Sequence, residues 1–236
     1  MKKFIIGFDG LHRTGKGTQI SLLQERLGQI SIPSVVVRGD GTRRGVPNVS
    51  LDLFDYPSEW WSNHWNYFQE KSTDEEELAK LNLKFQRLNR EAWVYFLRGL
   101  QTKMNSLNSS GGCMIMDRSL PSRYLTMRSF KPEIPFNEAI KSFNPKNKRA
   151  VNPIFPDQTY ILHGPQSLLF DRLEQTRSLE EDFEFKIAIL TKYYNAFDQI
   201  VQELRGENRI TVLDCGRSIE EVHEFIWEDV NKRYLK

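Results

Sequence analysis

Most of the chemistry available to this chain is concentrated in one short stretch. Gly10-Leu11-His12-Arg13-Thr14-Gly15-Lys16-Gly17-Thr18-Gln19 sets two glycines with four residues between them and a lysine after the second. Glycines so spaced let successive backbone N–H groups curl around an anion, and a helix starting there adds the positive end of its dipole. Lys16 is then expected to reach the outer phosphates of a nucleotide as a point charge, and to face solvent when none is bound. This is the Walker A phosphate-loop pattern, and it has meaning only between a strand and a helix. Both are predicted here, from the apolar run Phe4–Phe8 before the loop and the helix-period residues Ile20, Leu23 and Leu27 after it. The serine or threonine that usually follows the lysine as a magnesium ligand is Gly17. Thr18, one residue on, is expected to meet an inner phosphate. Mg2+ is still expected, held largely through waters, since it shields the β and γ oxygens during phosphoryl transfer.

A second constellation is Cys113-Met114-Ile115-Met116-Asp117-Arg118, an apolar strand ending in an acid and a base. Alone it reads as a surface ion pair beyond a strand. Beside a phosphate loop, Asp117 is suited to orient a metal's water shell and Arg118 to clamp a phosphate with its planar fork.

The elements that must position these groups follow from periodicity. Five short apolar runs, Phe4–Phe8, Ser34–Val37, Cys113–Met116, Thr159–Leu162 and Ile210–Leu213, lack clean alternation. Such runs suit strands buried on both faces of a helix-covered parallel sheet. Between them, Leu78, Leu81, Phe85, Leu88, Ala92 and Phe96 form one helical stripe. Phe183, Ile187, Leu190, Tyr194, Phe197, Val201 and Leu204 form another, in steps of four and three. Ser218 with Glu221 three residues later predicts a capping box at the start of the last helix. Strands alternating with helices predict an α/β doubly wound fold. Two excursions, over 39–75 and 130–157, are expected at the carboxyl ends of strands, where ligands bind.

Composition narrows the function classes. The 236 residues are 39% hydrophobic and 27% charged, an ordinary globular balance that excludes a disordered or fibrous chain. A net charge of +2 disfavours a dedicated nucleic-acid binder. Cys113 and Cys215 form neither a metal spacing nor a disulfide framework, and a reducing compartment is expected. Asp9 stops the first apolar run short of a signal peptide, and no stretch is long enough for a membrane helix. The expected location is cytoplasmic, with no membrane partner.

In order and spacing the chain resembles the thymidylate kinase family of nucleoside monophosphate kinases. FDGLHRTGKGTQ resembles that family's phosphate loop, and RGDGT at Arg38–Thr42 its REPGGT segment, shortened by one residue. DRSLPSRYL resembles its DRYxxSxxAY, PDQTYILHGP its PDLTIYLDVP, and LDCGRSIEEVHEFI its closing strand and helix. The resemblance implies an α/β, three-layer P-loop NTPase fold with a five-stranded parallel sheet in the order 2-3-1-4-5 and a helical lid. It implies one kinase domain over residues 1–236, with the acceptor-site excursion and helices at 39–107 and the lid at 175–186.

The resemblance also implies roles. ATP would be held by Gly10, Leu11, His12, Arg13, Thr14, Gly15, Lys16, Gly17 and Thr18, with Arg172 and Cys215 also at its site. Arg13, Lys16, Asp117 and Arg118 would be catalytic, with Asp117 reaching Mg2+ through water. Asp9, His12, Arg38, Phe85, Arg87, Arg118 and Arg123 would surround the acceptor. His12 stands where the family has an aspartate facing the acceptor sugar, and Arg123 where a small residue is usual near the base. The expected acceptor is therefore not simply thymidylate. The FxxxR acceptor motif has no clean register: Phe85 leads to Asn89, and Leu83 to Arg87. Lys84, Arg87 and Arg90 read equally well as a solvated helix face. The aromatic cluster Trp60, Trp61, Trp65, Tyr67 and Phe68 reads as packing for a lid or dimer surface, twice as readily as a base-stacking platform. Expected partners are small-molecule nucleotides, and a homodimer stays open. Two alternatives also stay open: a phosphate-loop kinase for another acceptor (a nucleoside, a small metabolite or a nucleic-acid end), and a nucleotide-binding protein without transfer activity.

Overall fold

The computed structural model describes residues 3–38, 111–118, 135, 155–179 and 183–236. The whole acceptor-site region over 39–107, with the 39–75 excursion, the aromatic cluster at 60–68 and the stripe over 78–96, and most of the excursion over 130–157 lie outside these residues.

The five apolar runs each fall within a strand: β1 Lys3–Asp9, β2 Ser34–Arg38, β3 Gly112–Asp117, β4 Gln158–His163 and β5 Ile210–Asp214. All neighbouring pairs are parallel, in the order β2-β3-β1-β4-β5. This is the order that the family resemblance implies. At the sheet's centre, β1 is buried from Phe4 to Asp9, as a strand covered on both faces must be. β5 departs from that expectation. Ile210, Thr211 and Val212 are only half-buried and Asp214 is exposed, because β5 is an outer strand with a neighbour on one side alone.

Four α-helices are described: α1 Lys16–Gln29 between β1 and β2, α2 Gln166–Glu174 and α3 Phe183–Leu204 between β4 and β5, and α4 Ile219–Val230 after β5. On α1, Ile20, Leu23 and Leu27 are buried with Gln19. On α3, Phe183, Leu190, Phe197, Val201 and Leu204 are buried, with Ile187 and Tyr194 packed beside them. α1 packs on β1, β2 and β3 and against α4, whereas α2 packs against α3 and α3 on β4. The chain leaves β1 toward one sheet edge and β4 toward the other. Right-handed crossovers in opposite directions put helices on both faces, and they open a crevice at the carboxyl ends of β1 and β4. No described helix is long and apolar enough to cross a membrane.

Candidate active site at the carboxyl ends of the strands

β1 delivers the chain to the crevice at Asp9, which is fully buried. Gly10 then turns with φ +143°, and a Cβ there would stand 2.4 Å from the Leu162 carbonyl oxygen and 2.7 Å from Thr14 Oγ1. Only glycine allows the loop to press this closely on β4. Thr14 is buried, and its hydroxyl donates to the Leu11 carbonyl at 3.0 Å, closing the loop from inside. Gly15, left-handed at φ +89°, caps α1. Gly15 carries no side chain that could cap this helix start, and its first turn has no acid. The N-terminal end of α1 therefore keeps its positive potential for an anion.

Lys16 does not extend into solvent as expected. Its Nζ donates to the carbonyls of Gly10 at 2.7 Å and Leu11 at 2.8 Å, so the side chain folds back over the loop. An ammonium has three donors, and two carbonyls within reach are a better environment for it than none. Gly17 and Thr18 are exposed, and a side chain at Gly17 would meet nothing within 4 Å. His12 and Arg13 are half-buried on the loop.

The neighbouring strands end level with this loop. Arg38 of β2 and Phe8 of β1 both stand in register with Asp117 of β3. At about 4.8 Å between strands, this brings the backbones of Asp9, Arg38, Asp117 and Arg118 to one end of the sheet. The Arg118 backbone N–H donates to the Phe8 carbonyl at 2.9 Å, which ties the second constellation to the root of the phosphate loop. Arg13 and Arg118 have φ +64° and +68°. Left-handed backbone at non-glycine residues is uncommon, and it persists where the surroundings hold it.

Arg172 and Cys215 meet at the other wall. Arg172 Nη2 donates to the Cys215 carbonyl at 2.8 Å, and Nη1 to the Arg13 carbonyl at 3.3 Å. The Cys215 side chain is buried, with Sγ close enough that a Cβ on Gly164 would come within 2.7 Å of it. Burial pushes this thiol's pKa up, while the nearby Arg172 cation opposes the shift. Burial likewise raises that of Cys113. Neither is an activated nucleophile. Phe85, Arg87 and Arg123 lie outside the described residues, as does part of the lid (180–182). At the lid's described edge, Arg177 lies over the Phe183 ring at 4.7 Å and pairs with Glu174 and Glu184.

Several contacts had no signal in the sequence. His163 Nε2 and Asp198 Oδ1 stand 2.8 Å apart, and the Tyr194 hydroxyl donates to the Gly164 carbonyl at 2.8 Å. Together they fasten the β4–α2 turn to α3. Nothing in the residues around His163 signals a partner 35 residues away.

Among the described residues, no group of three or more His, Cys, Asp or Glu side chains could hold a metal. A magnesium ion that keeps most of its waters and takes substrate phosphates needs only one or two carboxylates, and Asp117 at the β3 end fits that mode.

No family model matches the chain, and no curated protein does. Among solved structures, the chain is similar to the thymidylate kinase of Ehrlichia chaffeensis, with 16% sequence identity, a TM-score of 0.48, and coverage of 98% of this chain and 99% of that one.

Proposed function

We propose that the protein transfers a phosphoryl group from ATP to a nucleoside monophosphate, in the manner of a thymidylate kinase. The observation that carries this reading is the phosphate loop: a left-handed Gly15 opens α1 without a side-chain cap or an acid, and Lys16 stands over the loop. Backbone N–H groups, helix end and ammonium all favour one ligand, a chain of phosphates. In-line transfer needs donor and acceptor phosphates held end to end, with charge neutralised between them and little covalent help.

Each residue then has a task. Lys16 moves from the loop carbonyls to the outer phosphates of ATP. Arg13, on the same loop, supplies charge as the phosphoryl group leaves. Arg118 and Arg38, at the ends of adjacent strands, bind the acceptor's phosphate. Asp117 would hold Mg2+ through its waters, and the ion would supply positive charge against the phosphates during transfer. His12 puts an imidazole where a carboxylate would accept a bond from a sugar hydroxyl and repel a phosphate. The acceptor is therefore expected to differ from thymidylate in its sugar or phosphates.

The test is a coupled ADP-release assay across the common ribo- and deoxyribonucleoside monophosphates and nucleosides, on the protein as it stands and on His12→Asp. Turnover on a monophosphate other than thymidylate supports the reading, as does a shift toward thymidylate in His12→Asp. Turnover only on nucleosides replaces the acceptor. ADP release with no acceptor dependence would remove the kinase assignment.

A further inference from the structure

Arg172 sits in the last turn of α2, yet the two bonds of its guanidinium go to other parts of the chain. Nη1 reaches the carbonyl of Arg13 in the phosphate loop, 159 residues away, and Nη2 the carbonyl of Cys215 just beyond β5, 43 residues away. The planar fork of an arginine can engage two acceptors in fixed directions, which a single ammonium does less well. Each acceptor belongs to a segment that other contacts shape. Arg13 is left-handed at φ +64°, a conformation that needs outside support. In a planar trans peptide the carbonyl of residue 13 and the N–H of Thr14 point in opposite directions. Holding the Arg13 carbonyl thus sets the direction of the Thr14 N–H, on the opposite side of the same peptide unit. On the other side, Cys215 N donates to the His163 carbonyl at 2.9 Å, and Gly216 N to Asp214 Oδ1 at 2.8 Å. That turn is already fastened to β4, so Arg172 joins the phosphate loop to a fixed wall.

We infer that Arg172 is a positioning residue: its guanidinium clasps the phosphate loop to the β5–α4 turn, so that both walls of the nucleotide site are set before ATP arrives. The functional part of this inference rests on the kinase reading; the clasp itself does not. Its charge acts on two carbonyls and through them on the loop, so its loss should tell on the donor nucleotide and leave the acceptor alone.

Amide hydrogen exchange on the unliganded protein tests the clasp by itself. Arg172→Ala is expected to speed exchange about tenfold or more over residues 10–15 and 214–217 together, the loss that removing charge-assisted bonds implies, with β1 unchanged. Arg172→Lys, which keeps the charge and the fold, is expected to speed exchange in at least one of the two segments. Unchanged exchange in both segments of either variant would overturn the clasp, whatever the protein binds. Steady-state kinetics test the positioning role. The KM for ATP is expected to rise about tenfold in Arg172→Ala with the acceptor KM unchanged, and low-millimolar guanidinium to restore part of the loss. An equal rise in both KM values with no rescue would reduce Arg172 to a general structural role. Absence of transfer in the unmodified protein would defeat the kinase reading, while the exchange result would still decide the clasp.

Discussion

Two helices begin directly after parallel strands at the same end of the sheet, and they begin in opposite ways. α4 is closed by its own side chains. Ser218, in an extended conformation, accepts from the Glu221 N–H at 3.1 Å, and Glu221 Oε2 accepts from the Ser218 N–H at 3.0 Å. Glu220 and Glu221 then set two negative charges against the positive end of that helix. α1 starts at a left-handed glycine with no side-chain cap, no acid in its first turn and a lysine at its first position. α1 thus lacks the two internal devices, a capping side chain and first-turn acids, that close α4. A helix start with neither a capping side chain nor an acid offers its positive end to an external anion, whereas α4 covers its own.

That contrast can be broken at either end. The largest effect is expected from Lys16→Met, which should lower kcat for phosphoryl transfer about 10²–10³-fold or more. Near-normal turnover would mean that α1 is merely an uncapped helix. Arg118→Ala should raise the acceptor KM about ten- to a hundredfold with ATP affinity unchanged, as removal of a charge-assisted contact implies. An unmoved acceptor KM would return Arg118 to a surface ion pair. Gly10→Ala should destabilise the fold by about 1–3 kcal/mol, because its Cβ would meet the Leu162 carbonyl and its φ suits only glycine. Denaturant titration reads this, and an unchanged midpoint would show that the loop can lift off β4.

The smallest effect is expected at the closed helix. Ser218→Ala should cost about 1 kcal/mol of stability and leave turnover untouched. Its pH dependence has a definite sign. The bonds from Ser218 hold the Glu221 carboxyl below the usual glutamate range. Glu221 is thus ionised more readily folded than unfolded, and its contribution is present above the ordinary glutamate range and fades as pH falls through the depressed value. The difference in stability between the protein and Glu221→Gln should narrow on acidification through that window. A constant difference would mean that the box contributes through the serine alone.

The strands were legible because each is a compact apolar run that a doubly covered sheet requires, and β1 is buried from Phe4 to Asp9 as that requires. The capping box was legible because its partners are three residues apart. The loop's outline was legible too, but its interior was not. That Lys16 turns back onto Gly10 and Leu11 depends on loop curvature, which residue types do not specify. The left-handed backbones of Arg13 and Arg118 have no signature in an arginine side chain, since arginine carries no preference for positive φ. Arg172 was placed at the ATP site by resemblance, yet its two carbonyl partners depend on which strands are neighbours. The exposure of β5 likewise follows from its place at the sheet edge and not from its own residues, Ile210–Asp214.

The central claim is that the open start of α1 serves phosphoryl transfer between nucleotides. It is tested most directly by incubating the protein and Lys16→Met with ATP labelled in its γ-phosphoryl group, Mg2+ and a panel of nucleoside monophosphates, and then separating the labelled products. The account predicts label in a nucleoside diphosphate with the unmodified protein and almost none with Lys16→Met. Label that never leaves ATP, appears only as free phosphate, or passes to the acceptor equally in Lys16→Met would contradict it.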